Sequence, residues 1–284
     1  TMNKISERQR AWLTFTRNKT ALVGGVIALF IVFVAVFAPW ISRLDPLEQD
    51  PFARLMWTTP KHWLGTDDFG RDVFSRIIWG SRISLMIGSA SVLLGLLLGT
   101  SLGMIAGYYG GKPESLIMRA IDVMMCFPDL ILAIAVTAAL GANLLNLIIT
   151  IGIVMTPRFA RLAHGIILSI KENEFVMASR AVGAGVPRIL VQHIFPNIFG
   201  ELLVAGTLWV GESIRLEANL AFIGLGVQPP TPTWGNMTRE GVDVLINAPW
   251  LSIFAGLSIL ITILAFNMLG DGIRDITDPK LRGA

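Results

Sequence analysis

Side chains able to do chemistry are few here and rarely stand in working sets. His62 lies shortly before Asp67 and Asp68, a group that could be drawn as metal ligands. Adjacent aspartates point apart, however, and Asp-Asp-x-Gly is a turn signature that feeds a helix N-cap, so this stretch reads as a turn. Asp122 and Asp129 could serve as paired acids, but they stand seven apart on one predicted helix with no matching partner motif. Gly110-Gly111-Lys112-Pro113 has the glycines and lysine of a phosphate cradle. Its spacing to an earlier glycine is wrong, and Pro113 stands where Ser or Thr should hold magnesium. Any ATP chemistry must therefore come from another chain. The single cysteine, Cys126, permits neither an internal disulfide nor a multi-cysteine metal site and reads as a small buried residue.

The remaining candidates are the charges inside one apolar stretch, Glu212, Arg215 and Glu217. Glu212 and Arg215 are three apart and share a helical face, whereas Glu217 points elsewhere. A charge at the centre of a membrane helix costs roughly 2.5 to 3.5 kcal/mol, so these groups must pair or face water. They are expected to line a translocation pathway or, for the pair, to bind a neighbouring subunit. Used as a relay, the three would suit an ion-coupled carrier, but the inverted repeats and matching interrupted helices of such carriers are not found.

Composition identifies the elements that must hold these groups. Of 284 residues, 53% are hydrophobic and 15% charged, a balance for a multi-span membrane protein rather than a soluble domain. The net charge of +3 comes from residues scattered along loops and not interleaved with aromatics, which argues against nucleic acid. Apolar runs predict six spans near residues 21–41, 83–107, 116–140, 141–157, 197–224 and 249–270. The first is too long for a secretory leader and has no cleavage pattern, so it is expected to stay as an anchor. Residues 1–19 form a polar N-terminal arm, and residues 42–82 and 226–248 form two loops on the opposite side. With both termini in the cytoplasm, fifteen Lys and Arg fall inside and seven in the outer loops, as the positive-inside rule requires. In the second span Ser91, Gly95, Gly99, Gly103 and Gly107 recur every fourth residue, a seam that lets another helix backbone come close. Arg119 and Asp122 are read as an interfacial ion pair.

One polar stretch interrupts this pattern, from Glu174 to Arg188 and on to His193-Ile194-Phe195-Pro196. It predicts a short helix, a turn at Gly183 and Gly185 using left-handed backbone, and a second helix that starts at Pro187 and ends at Pro196. Such an element lies across the membrane surface and presents small side chains to another protein. The stretch resembles the EAA loop of ABC-transporter membrane subunits, with Ala178, Ser179, Gly183 and Pro196 in the expected places and Met177 where Glu is usual. The string from His62 to Arg76, then Gly80-Ser81-Arg82, Met118 to Asp122, Glu217 to Gly226, Gln228 to Gly235 and Leu264 to Asp275, resembles the C-type permease of dipeptide, oligopeptide and nickel importers. This likeness covers residues 19–282.

The resemblance implies an all-α polytopic protein of the bacterial inner membrane with the type I ABC-importer permease fold: a permease domain of residues 20–284 whose coupling loop spans 158–196. It implies no enzyme activity in this chain and no cofactor, with ATP and magnesium held by two ATP-binding subunits. A homologous second permease subunit and an extracytoplasmic substrate-binding protein complete the assembly. Glu174, Met177, Ala178, Ser179, Arg180, Gly183, His193 and Pro196 become the expected ATPase-coupling residues, driven as a rigid body by the continuous helix from span four. Peptides are the implied cargo, with nickel chelates or another small solute as the alternative.

Overall fold

The computed structural model describes residues 18–277, so most of the N-terminal arm lies outside the described residues. Helix α1 (Lys19–Val36) is capped by Asn18, whose side chain accepts from Ala21 N at 3.1 Å. It is apolar all round, with Val26, Leu29, Phe30 and Phe33 exposed, as suits a helix that meets lipid on most sides. After a short helix α2 (Ala38–Ile41) comes the long helix α3 (Val73–Tyr109). It begins ten residues earlier than its apolar run because Asp72 caps it, accepting from Ser75 N at 2.8 Å, so the loop ends at residue 72. The glycine seam on α3 faces helix α6 (Leu144–Ile170). A Cβ on Gly99 would lie 2.3 Å from Thr156 O, and one on Gly103 would lie 2.3 Å from Ala160 O. Only hydrogen at these positions allows the observed approach.

Two expected spans change shape. Residues 116–140 are not one helix: α4 (Gly111–Met125) and α5 (Asp129–Leu140) meet at a bend of 98°. Pro128 disfavours helix at Phe127 and so sets the break, where Cys126 is exposed rather than buried. The turn before α4 needs only Gly110 and Gly111, at φ +66° and +59°. The fourth span does not stop at Pro157 either. It runs through that proline to Ile170, which moves Arg158, Arg161 and His164 from a loop onto a helix.

Beyond α7 (Glu174–Ala181) and the short α8 (Val186–Arg188), a π-helical segment Ile189–Ile194 leads without interruption into α9 (Phe195–Phe222). The expected stop at Pro196 is therefore overturned. The π turn, in which Phe195 N donates to Leu190 O, carries the chain to Pro196, which leaves one ladder position without a donor, and Asn197 Nδ2 donates to His193 O at 2.6 Å. The loop 226–248 holds a further helix, α10 (Trp234–Asp243), capped by Thr233 and anchored by Trp234 Nε1 donating to Ile77 O at 3.0 Å. Helix α11 (Pro249–Thr277) packs on α1, α9 and α10, and Asn18 Nδ2 donates to Asp275 at 2.7 Å. The two ends of the described chain therefore meet at the α7 end of the bundle. Among the described residues five helices are long and apolar enough to cross a membrane, and the bent pair α4 and α5 has the composition of a broken sixth span or a re-entrant loop.

Candidate functional site

The polar groups inside the bundle form a chain of alternating charge. Arg215 Nε donates to Glu212 at 3.0 Å along α9, Glu212 lies 3.8 Å from Arg158 of α6, and Arg158 pairs with Asp129 at the start of α5. Counting 1.5 Å per residue, Glu212, Asp129 and Arg158 stand about 15 to 21 Å from the α10 ends of their helices, near the middle of a hydrocarbon layer about 30 Å thick. Arg215 is 53% exposed at its side chain and Asp129 37%, so the cluster opens onto a surface of this chain. That surface cannot be lipid-facing without the cost already noted.

Towards the α7 end the same face continues. Arg161 pairs with Asp122, and His164 Nε2 lies 2.8 Å from Glu114. Arg158, Arg161 and His164 recur every third residue on α6, so one stripe of charge descends that helix against α4 and α5. Asp122 thus finds Arg161, and the expected Arg119–Asp122 pair does not form. Glu217 stands off this stripe: it is fully buried beside Gly235 and next to the Thr233 cap of α10. Asp129 and Arg158 were not picked out as pathway residues in the sequence, because Asp129 read as part of one straight helix through Pro128 and Arg158 as a loop cation beyond Pro157.

At the α7 end, Gly183 takes φ +77° with no atom near its absent side chain, whereas Gly185, at φ −66°, needs no left-handed backbone. Glu174, Met177, Ala178 and Arg180 are exposed, His193 is half-buried, and exposed Phe175, Val182 and Val191 add apolar surface. Ser179 instead turns inward and donates to Phe175 O at 2.8 Å, so its small size serves packing within the chain. Arg180 Nε donates to the Tyr108 hydroxyl at 3.2 Å with its guanidinium 4.9 Å from the ring, which ties α7 to the end of α3.

At the opposite end, Arg71 Nε donates to Asp67 at 2.6 Å, and Arg71 and Arg76 both reach Glu240 of α10, at 3.1 and 2.9 Å. His62 Nδ1 bonds the helix cap Asp72 at 3.0 Å, and among the described residues no three His, Cys, Asp or Glu could share a metal. The ion pairs hold the loop before α3 and the start of that helix against α10, beside a cavity of about 410 Å³ with Gln49, Phe69, Arg71, Gln228, Arg239 and Glu240 in its wall.

A helical bundle with a charged stripe along its spans, a short exposed helix at one end and a folded loop at the other suits a transporter membrane subunit. Residues 99–283 match the family model for the binding-protein-dependent transport system inner membrane component, and residues 6–57 match the N-terminal TM domain of oligopeptide transport permease C. The chain belongs to this ABC-importer permease family, and in such importers ATP is hydrolysed by separate subunits. It is 43% identical to the dipeptide transport system permease protein DppC of Alkalihalophilus pseudofirmus, over 98% of this chain and 91% of that one. It is 42% identical to the glutathione transport system permease protein GsiD of Pectobacterium atrosepticum, over 95% and 90%. Its fold is similar to that of a chain of the MetNI methionine ABC transporter in an inward-facing crystal form, with a TM-score of 0.59 at 19% identity over 72% of this chain and 98% of that one.

Proposed function

We propose that this chain forms, with a homologous second permease subunit, the membrane pathway of an ATP-driven importer for di- or oligopeptides. The charged stripe carries the proposal, since a zwitterionic cargo needs groups of both signs along its path and Asp129, Arg158, Glu212 and Arg215 alternate. Relatives named for dipeptide, di/tripeptide and glutathione transport support the cargo class. Both termini face the cytoplasm. Helix α7 and the turn at Gly183 seat in an ATP-binding subunit, Met177, Ala178, Val182 and Arg180 supplying contacts there, while α6 transmits its movement to the stripe. The loop before α3 and the turn before α10 receive the substrate-binding protein around their shared cavity. Two ATP-binding subunits hold ATP and magnesium.

The test is ATP-driven uptake of radiolabelled alanylalanine into proteoliposomes containing the complete complex and its binding protein. Saturable uptake is expected. Accumulation of a nickel chelate or another solute, with no di- or oligopeptide taken up, would refute the cargo assignment.

A further inference from the structure

Between α4 and α6 lies a second cavity of about 410 Å³, with Glu114, Met118, Arg119, Asp122, Arg161 and His164 in its wall. It occupies the charged stripe one to two helical turns nearer the α7 end than Arg158. Glu114, Met118 and Asp122 are four apart and form one face of α4, with Arg119 beside them. Two carboxylates and two guanidiniums give the wall a formal charge of zero with His164 neutral. Asp122 is paired with Arg161 and Glu114 with His164, whereas Arg119 has neither a hydrogen bond nor an ion pair among the described residues. A guanidinium without an acid partner, beside carboxylates that keep free lone pairs, is complementary to a ligand carrying both charges.

We propose that this cavity is a second peptide site, in which Arg119 takes the terminal carboxylate and Asp122 and Glu114 take the terminal ammonium. An extended dipeptide separates its ends by about 7 Å, and this open groove, with the Asp122 and Arg161 side chains each 54% exposed, has room for it at the surface of the chain. A purely anionic or cationic ligand would leave charge uncompensated in the wall, and a zwitterion does not. The site rests on the peptide reading above and adds a place on the α7 side of the path where cargo pauses before release.

The probe is radiolabelled alanylalanine, added without binding protein to the complete permease and ATPase complex in phosphatidylcholine nanodiscs. Saturable binding is expected, with N-acetyl-alanylalanine and alanylalanine amide each competing about tenfold less well, the loss of one charge-assisted contact. Arg119→Gln orphans no acid, so the complex should assemble normally by gel filtration. It should bind alanylalanine about tenfold more weakly and lose discrimination against the amide while keeping it against the acetylated peptide. A variant that binds alanylalanine and rejects the amide as the parent does overturns the site. So does displacement of alanylalanine in proportion to added phosphatidylethanolamine, which would make a lipid headgroup the occupant. Absence of saturable binding while binding-protein-driven uptake of the same dipeptide proceeds overturns the site and leaves the peptide reading intact; absence of uptake as well overturns both.

Discussion

Gly103→Ala should loosen the seam on which the charged stripe depends. The added Cβ would lie 2.3 Å from Ala160 O, 2.9 Å from Ala163 Cβ and 3.0 Å from His164 N. Two of these are backbone atoms that no rotamer change can move. The closest contact falls about 1 Å short of ordinary van der Waals separation, so α3 and α6 must part by about that much. Overpacking of this kind costs roughly 1 to 3 kcal/mol. The displaced strip of α6 carries His164, so its 2.8 Å contact to Glu114 would be disturbed as well. Thermal unfolding of the purified complex should therefore begin lower by roughly 2 to 4 °C for each kcal/mol lost. Gly165→Ala provides the opposite sign: it lies on the far face of α6 with no atom within 4 Å, and Ala exceeds Gly in helix preference by up to about 1 kcal/mol. Parental melting in Gly103→Ala, or melting at or above that of Gly165→Ala, would refute close backbone packing as the reason for the glycine ladder.

Gly183→Val should insert and assemble but hydrolyse ATP with little uptake, because a side chain at φ +77° costs about 1 to 2 kcal/mol and reshapes the turn although space for it is open; an unchanged ratio of peptide imported to ATP consumed removes this role. Exchanging Glu212 and Arg215 brings an arginine towards Arg158, which already lies 3.8 Å from Glu212, so uptake should fall by about tenfold or more. Parental uptake by the exchanged protein would show that Arg158 does not share Glu212. Single cysteines placed at exposed Gln228 or Phe69, in a background with Cys126→Ser, should crosslink to the binding protein. Crosslinks arising only from other surfaces would move the receiving face elsewhere.

Much of this protein is legible in one dimension because a bilayer imposes simple requirements. Apolar run length located five of the six expected crossings, glycines at strict four-residue spacing announced a close helix contact, and Gly183 marked a turn that needs left-handed backbone. The family strings carried the fold and the transporter class. What the sequence left open concerns prolines, whose effect depends on what surrounds them. Pro128 breaks a span and Pro157 is absorbed inside one, while Pro196 opens a helix after a π turn instead of closing one. Each hydrogen bond that a proline forfeits is small against the packing of a whole helix, so neighbouring helices decide whether the chain continues. The same holds for charge: Arg158, Arg161 and His164 looked like loop cations, and Asp122 and Asp129 like residues of one straight helix. Only the 98° bend between α4 and α5 brings these acids onto the face of α6, because a contact between residues 29 to 50 positions apart is fixed by the angle at which helices cross, a quantity to which local periodicity is blind.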